Sequence, residues 1–123
     1  MKINSTILDD VYLISTDIQA DNRGFFSRLF CMSEINAVTQ FGNIKQINTS
    51  FSKQKGTIRS MHDQLPRYSE NKIARCIKDA VYDDVIDVRK DASNYQKWLA
   101  EILRDEEDNV EHDPRRFANG VQA

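Results

Sequence analysis

The feature of this sequence that most constrains its fold is a succession of short segments rich in β-branched and aromatic residues, separated by turn residues. Short segments of this composition are typical of β-strands. The strand-like segments are 6–18, 25–30, 44–52, 57–64, 72–77 and 80–89. Many short strands with turn signals between them predict a mainly β chain that folds as a sandwich or a barrel.

Two turns between these segments can be placed from their residues. Residues 21–24, Asp-Asn-Arg-Gly, predict a turn because glycine adopts positive φ angles without steric cost. Lys78 and Asp79 lie between segments 72–77 and 80–89 and predict a β-hairpin that pairs those two segments.

Two other segments have helical spacing. Residues 33–41 predict a short helix, with Ser33 as its N-cap and with Ile35 and Val38 on one face. The apolar residues of segment 93–104 recur at i, i+3, i+4, i+7 and i+8, which locally indicates an amphipathic helix. That local indication conflicts with the β character of the rest of the chain.

The size and charge of the chain limit its functional class. Its 123 residues are enough for one hydrophobic core, which predicts a single domain over residues 1–123. A formal net charge of -2 and an interspersed charge pattern argue against a nucleic-acid partner. The sequence has neither an apolar targeting segment at its start nor an apolar run of membrane-spanning length, so we expect a cytoplasmic protein without a membrane partner.

Neither a disulfide nor a metal site is indicated strongly. Cys31 and Cys76 are not spaced as C-x-x-C, and two buried free thiols are the simpler interpretation. His62, His112 and the thiols are potential ligands, but they lack a recognised zinc spacing. We therefore expect no metal.

The candidate chemistry lies in segment 56–89, where Arg59, His62 and Lys72 occur close together. An imidazole and two cations suit proton abstraction next to a carbonyl in an anionic substrate. Simpler interpretations remain open, with His62 as a half-buried histidine bonded to the backbone and Lys72 as a surface lysine on an edge strand. Arg59 and His62 are three positions apart, so a regular strand points them to opposite faces. Either a bulge rotates one of them or Arg59 serves the partner side.

A series of motifs runs through the chain in one register from about Asp9 to the last residue. They are D-x-R-G-x-F-x-x-x-F at 21–30, Q-x-N-x-S-x-S at 46–52, G-T-x-R-x-x-H-x-Q at 56–64, E-x-K-x-x-R-C at 70–76, Y-D at 82–83, D-x-R at 87–89, S-x-Y-x-x-W at 93–98 and F-A-N-G at 117–120. In this order and spacing they resemble the dTDP-4-dehydrorhamnose 3,5-epimerase family, sugar-nucleotide enzymes with a cupin (jelly-roll) fold. The resemblance implies that fold, and it implies a strand over 97–103 in spite of the helical spacing there.

The resemblance also implies a reaction on a dTDP-4-keto-6-deoxyhexose. The protons at C3 and C5 of this sugar are acidic because each carbon lies next to the C4 ketone. By resemblance, His62 is the base, Lys72 polarises the ketone and holds the enolate, and an acid returns a proton from the opposite face. The histidine acts on the sugar directly, so the resemblance implies no metal and no cofactor.

Further residues are assigned to substrate binding by the same resemblance. Arg23 and Arg59 are expected to grip the diphosphate or neighbouring polar atoms, while Gln46 and Asn48 are expected to contact the nucleotide end. Members of the family are homodimers in which N-terminal strands contribute to the neighbour's site. A homodimer is therefore expected here.

The chain departs from the family pattern at several of these positions. Arg28 stands at a nucleotide-contact position where the family commonly carries glutamate, and Asn119 stands where a substrate-contacting histidine usually sits. Ser60 replaces the glycine after Arg59, and Asp63 replaces a commonly aromatic residue beside His62. The family reads roughly I-P-x-G-F-A-H-G where residues 113–120 of this chain read D-P-R-R-F-A-N-G.

The last implication concerns the C-terminal end. In the family, the tyrosine that acts as general acid and the aspartate that orients the histidine lie beyond the position that matches Ala123. A jelly roll incomplete at that end is therefore expected, with impaired epimerisation unless Tyr68, Tyr82 or Tyr95 replaces the acid. Two alternatives stay open: a non-catalytic protein that binds nucleotide sugars, and a small β-domain that serves only oligomer assembly.

Overall fold

The computed structural model describes residues 1–123, and β-strands make up most of its regular structure. The ten strands are β1 (Lys2–Ser5), β2 (Tyr12–Ser15), β3 (Gln19–Asp21), β4 (Gly24–Phe26), β5 (Ile58–His62), β6 (Lys72–Arg75), β7 (Ala80–Asp87), β8 (Trp98–Arg104), β9 (Asn109–Asp113) and β10 (Phe117–Gln122). The helix α1 spans Met32–Asn36. The prediction of a mainly β chain is confirmed. None of its helical structure has the length and apolar character needed to cross a membrane.

Two four-stranded antiparallel sheets form the body of the fold. The first sheet has the order β1-β2-β9-β6, and the second has the order β5-β10-β7-β8. Strands β3 and β4 form a separate two-stranded hairpin whose turn is the predicted one at 21–24. Chain neighbours such as β9 and β10 lie in different sheets, so the chain crosses between the sheets repeatedly, as in a jelly roll.

Apolar side chains pack on both sides of the first sheet. Leu8 and Val11 pack with Val85 and Phe117 of the second sheet, and this cluster fills part of the space between the sheets. Behind the first sheet, a second cluster consists of Ile14, Ile35 and Val110. Because Ile35 belongs to α1, the helix covers the outer face of the first sheet.

The predicted hairpin between segments 72–77 and 80–89 is wrong. Strand β6 pairs with β9, whereas β7 pairs with β10 and β8 in the other sheet. The link at Lys78 and Asp79 therefore carries the chain from one sheet to the other. Asp79 does adopt a positive φ of 63° there, and its backbone N–H donates to Asp105 Oδ2 at 2.9 Å. A short link between two strands does not show whether they pair, because pairing depends on distant parts of the chain.

The predicted strand over 44–52 is also wrong. These residues are mostly exposed and belong to no sheet. Their alternating polar and apolar residues fit a strand, but no other strand of the structure pairs with them. The predicted strand over 25–30 is likewise reduced to its first residues in β4.

The two segments with helical spacing differ in outcome. Helix α1 ends at Asn36 and has Cys31 at its N-cap position without a side-chain hydrogen bond, so the predicted Ser33 cap and the extension to residue 41 are wrong. Segment 97–103 forms β8, as predicted from the resemblance. Apolar residues occupy both faces of β8, with Leu103 buried and Trp98 and Ile102 exposed. A strand with apolar residues on both faces can show the same i, i+3, i+4 spacing of apolar residues as an amphipathic helix.

Candidate active site

His62 and Asn119 lie directly opposite each other on neighbouring strands. Strand β5 pairs with β10 so that Asn119 faces His62 and Val121 faces Arg59. Two steps along β10 thus correspond to three steps along β5, and the register shifts between them. The extra residue is a β-bulge, and it places Arg59 and His62 on the same face of the sheet. The structure therefore favours the bulge over the alternative in which Arg59 serves the partner side.

The bulge depends on Gly120, which lies opposite the two bulged residues. A Cβ atom at position 120 would lie 2.8 Å from Met61 Sδ and 2.9 Å from Ser60 Cβ. Real Cβ atoms do not approach other atoms this closely, so only glycine fits beside the bulge. This gives a physical reason for the glycine of the F-A-N-G motif.

Lys72 reaches His62 and Asn119 from the other sheet. It is the first residue of β6, and its Nζ donates to Asn119 Oδ1 at 2.9 Å and to the backbone oxygen of His62 at 3.5 Å. The ammonium group therefore lies between the two sheets and beside the strand that carries the imidazole. Lys72, His62 and Asn119 form one cluster, which we call the lysine–histidine site.

Three buried carboxyl groups lie behind this site. Asp83, Glu111 and Asp113 are each 1% exposed, and none of their side-chain oxygens has a hydrogen-bond partner. Burial raises the pKa of Asp83 and of Asp113 to about 7 in each case. Burial, together with the nearby Asp113, raises the pKa of Glu111 to about 9. We call these three residues the interior carboxyl cluster.

Sequence reasoning did not find the interior carboxyl cluster. Asp83 belongs to the Y-D motif at 82–83 without an assigned role, and neither Glu111 nor Asp113 is among the candidate site residues. Acidic residues at alternate positions of a strand usually indicate a solvated face. The signal that was present is Asp113 at a position where the family motif carries isoleucine.

The predicted binding residues Arg23 and Arg28 lie away from the lysine–histidine site in this structure. Arg23 is at the turn between β3 and β4, where its Nη2 donates to Asp21 Oδ2 at 2.6 Å in an exposed ion pair. Arg28 forms an ion pair with Glu34 of α1 at 3.4 Å. Neither arginine contacts Lys72, His62 or Asn119 here.

Gln46 and Asn48 lie in the extended segment before β5. Asn48 Nδ2 donates to Gln46 Oε1 at 3.4 Å, and both side chains are exposed. Arg59 is closer to this segment, because its Nη2 donates to the backbone oxygen of Phe51 at 3.4 Å. Arg59 therefore connects the extended segment to the strand that carries His62.

The three tyrosines considered as replacement acids are all exposed or close to it. Tyr82 lies on the outer face of β7, because the inner face of that strand carries Asp83, Val85 and Asp87. Tyr68 and Tyr95 lie in connecting segments. None of the three has a hydrogen bond to the lysine–histidine site.

The arrangement offers acid–base chemistry through side chains. The structure contains no group of three His, Cys, Asp or Glu side chains arranged to hold a metal ion. His62 is exposed and accessible to a substrate, while the Lys72 ammonium is fixed by two acceptors. A base beside a fixed cation suits removal of a proton from a carbon whose negative charge passes to an oxygen.

Comparison with known proteins agrees with this geometry. A family model described as dTDP-4-dehydrorhamnose 3,5-epimerase matches residues 5–123. The chain belongs to this family. A curated dTDP-4-dehydrorhamnose 3,5-epimerase from Sinorhizobium fredii is 32% identical over 120 residues, which are 98% of this chain and 62% of the relative.

Solved structures of the family match the whole of the fold. The crystal structure of dTDP-4-dehydrorhamnose 3,5-epimerase from Elizabethkingia anophelis has a TM-score of 0.95 at 27% identity and covers 100% of this chain and 67% of that one. The dTDP-6-deoxy-D-glucose-3,5-epimerase from Legionella pneumophila, in complex with dTDP-4-keto-L-rhamnose, has a TM-score of 0.82 at 25% identity and covers 99% of this chain and 64% of that one. The cupin fold predicted for the chain is confirmed. The chain spans less than two thirds of the length of the Sinorhizobium relative.

Proposed function

We propose that the protein is a sugar-nucleotide epimerase that acts on a dTDP-4-keto-6-deoxyhexose. The single observation that carries the proposal is the position of Lys72, whose ammonium is held at 2.9 Å from Asn119 Oδ1 and beside the strand of His62. Membership of the family supports the same substrate class. The Legionella protein, whose structure holds dTDP-4-keto-L-rhamnose, supports it further.

The proposed reaction inverts a carbon next to the ketone. His62 removes the proton from C3 or C5, and the electron pair of the broken C–H bond moves to the C4 oxygen as an enolate. The Lys72 ammonium stabilises that oxygen through a hydrogen bond and its charge. A water molecule on the opposite face of the same carbon supplies the proton that regenerates the ketone with inverted configuration. The His62 imidazolium gives its proton back to solvent, which neutralises the hydroxide left by that water.

Exposed polar residues, some near the site and some away from it, are proposed to bind the nucleotide. Arg59 lies on the same face of the sheet as His62, and it suits a diphosphate oxygen because a guanidinium donates two parallel hydrogen bonds. As part of the same proposal, we assign Arg23 to the diphosphate or neighbouring polar atoms, Arg28, Gln46 and Asn48 to the nucleotide end, and Asn119 to substrate binding. Binding by Arg23 and Arg28 requires each to exchange its present ion pair for the ligand.

We also propose that the protein is a cytoplasmic homodimer. The support for a dimer is the outer face of the second sheet, where a depression of about 320 Å³ is lined mainly by apolar side chains. Met61, Tyr82, Ile86 and Trp98 contribute to it, and Trp98 is 62% exposed. Aromatic and methionine side chains of this kind are enriched at protein interfaces.

The test of the epimerase proposal is proton exchange into a defined substrate. Purified protein is incubated with dTDP-4-keto-6-deoxyglucose in D₂O, and the C3 and C5 proton signals are followed by NMR. We expect loss of at least one signal with the wild-type protein and no loss with His62→Ala. Folded wild-type protein that exchanges neither proton would refute the epimerase proposal.

The same experiment separates the non-catalytic alternative. Exposed side chains for a nucleotide are present independently of the base, which gives that alternative a structural basis. Saturation-transfer NMR with dTDP reports binding alone. Binding without exchange would favour the non-catalytic protein, and absence of both would favour the assembly domain.

A further inference from the structure

The space between the two sheets contains more acidic than basic side chains. The interior carboxyl cluster brings Asp83 from β7 together with Glu111 and Asp113 from β9. All six side-chain oxygens are buried without a hydrogen bond from any other part of the chain, and only Glu111 and Asp113 lie close enough to share a proton. Ionised carboxylates in such surroundings require a cation or hydrogen-bond donors, because desolvation strongly disfavours their charge.

The cation that faces these carboxyls is Lys72. Lys72 and Asp113 are directly paired residues of β6 and β9, so their side chains leave the same face of the first sheet. At this spacing, the Cβ atoms of paired residues are about 5 Å apart, well within the reach of a lysine side chain. In the structure, however, the Lys72 ammonium donates to Asn119 and to the His62 backbone oxygen. Lys72 thus lies between two competing sets of acceptors.

We propose that Glu111 and Asp113 act as a pH-dependent positioning pair for Lys72. While both carboxyls carry a proton, the ammonium stays with Asn119 at the lysine–histidine site. When they ionise, they draw the ammonium into an ion pair inside the sheets and away from the substrate side. The consequence for catalysis rests on the proposed function, whereas the movement of Lys72 does not.

Other charged groups face the pair from several strands. On the neighbouring strands and the opposite sheet these groups are Lys72 of β6, Asp83 of β7, Glu101 of β8, and Arg59 and His62 of β5. Asp83 and Glu101 are acidic and raise the pKa of Glu111, whereas Lys72 lowers the pKa of Asp113. On β2, Leu13 pairs with Glu111 and carries no charge.

Burial moves the ionisation of the pair upward from the acidic range that is usual for carboxyl groups. Burial raises the pKa of Asp113 to about 7, and it raises the pKa of Glu111 to about 9. Two carboxyls this close titrate as a pair, so the steps belong to the pair rather than to either residue alone.

The positioning pair predicts an alkaline loss of activity with an unusual cause. Withdrawal of Lys72 lowers the rate by about tenfold for each pH unit above the ionisation of the pair. In Asp113→Asn, the amide stays neutral, so the rate should remain within about twofold from pH 7 to 9.

The experiment is an NMR titration of the full chain that needs no substrate. The protein is labelled with ¹³C and ¹⁵N, and three signals are followed from pH 5 to pH 9: the carboxyl carbon of Asp113, the Nζ of Lys72 and the side-chain amide of Asn119. We expect all three to move with one midpoint near pH 7. Glu111→Gln should move this midpoint, because the two carboxyls titrate as a pair, and the exposed Asp91→Asn should behave as wild type.

Two outcomes would overturn the proposal. One is an Asp113 carboxyl that titrates below pH 5, and the other is Lys72 and Asn119 signals that stay constant while Asp113 titrates. Both are read from the wild-type protein, so they remain decisive if Asp113→Asn fails to fold. Proton exchange in the substrate is measured separately. A protein that shows the coupled titration without exchange would refute the epimerase proposal and leave the positioning pair intact.

Discussion

At the scale of single residues, Lys72 combines two roles that are usually separate. It contacts the site through Asn119 and His62, and it is also the cation that faces a buried acidic interior. A lysine in this position is held by hydrogen bonds rather than by an ion pair. The position of the Lys72 side chain therefore depends on the charge of its neighbours. The position of an ordinary surface lysine depends on such charges less.

Replacement of Lys72 should affect the chemical step more than substrate binding. We expect Lys72→Ala to lower the rate of C3 or C5 proton exchange by about 10²- to 10³-fold, because one preorganised donor to the enolate oxygen is lost. Exchange rates in D₂O at saturating substrate measure this effect. The exposed Lys90→Ala provides the control, and a loss of less than about threefold in Lys72→Ala would contradict the assigned role.

The effects of substitutions at Gly120 and Ser60 on stability should depend on each other. We expect Gly120→Ala to destabilise the protein by about 1–3 kcal/mol, because the new Cβ overlaps the bulged residues of β5. Adding Ser60→Gly removes the Ser60 Cβ that lies 2.9 Å from the new atom, so about 1 kcal/mol should be recovered. Urea unfolding of the two single variants and the double variant measures the coupling. Strictly additive changes would mean that the bulge is not the cause.

At the scale of elements, β9 is buried on both faces with different chemistry on each. Its inner face carries Glu111 and Asp113, and its outer face carries Val110 and His112. His112 is 0% exposed and packs against the rings of Tyr12 and Phe41 at centroid distances of 6.0 and 5.6 Å. Both ring nitrogens lack partners. The strand therefore places titratable groups in dry surroundings on both sides.

The outer face of β9 should make the fold sensitive to acid. Burial lowers the pKa of His112 to about 4, whereas the unfolded value is 6.5. Since the unfolded chain binds the proton more tightly, the stability linked to His112 is complete above pH 6.5 and is lost as the pH falls from 6.5 to 4. Relative to His112→Phe, wild type should lose about 2–3 kcal/mol between pH 7.5 and 4.5.

The measurement is the difference in unfolding free energy between the two proteins in urea at each pH. The interior carboxyls give the unfolding free energy the opposite pH dependence, because their raised pKa values favour folding at low pH. Both proteins contain these carboxyls, so their contribution cancels in the difference. A difference that is independent of pH would show that His112 is not buried in its neutral form.

The elements also show what the sequence could predict. Strands β5 to β8 were placed close to their observed bounds, because their composition is locally distinctive. Partners were not predictable in the same way, since Lys72 pairs with residue 113 and not with the adjacent segment after Asp79. The family resemblance indicates Lys72, His62 and Asn119 as site residues, and the fold adds the hydrogen bond that joins Lys72 to Asn119. The interior carboxyls were missed because an alternating acidic strand resembles a solvated one.

At the scale of the whole molecule, the two sheets differ in how their outer faces are covered. Helix α1 covers the first sheet through Ile35, whereas nothing in the chain covers the outer face of the second. Tyr82, Trp98 and Ile102 remain 40%, 62% and 49% exposed there. An uncovered apolar sheet face on one side only is the feature expected of a subunit in a two-fold dimer.

The proposed dimer can be tested on this face. We expect Trp98→Glu to raise the dimer dissociation constant by at least about 30-fold, because a central aromatic anchor is replaced by a charge. Sedimentation equilibrium over a concentration series measures the constant. Ile77→Glu, at a position that is 73% exposed in the link between the sheets, is the matched control. Equal effects of the two substitutions, or a wild-type monomer, would argue against this interface.

The bulge in β5 has a consequence for insertions and deletions. A strand without the extra residue would hold Arg59 and His62 two positions apart, which again places both on one face, and its ladder with β10 would be unbroken. The removal of one residue at position 60 should therefore disturb the protein less than the addition of one methyl group at Gly120. Strand β5 should therefore tolerate the loss of one residue at the bulge, whereas position 120 of β10 should not tolerate a side chain.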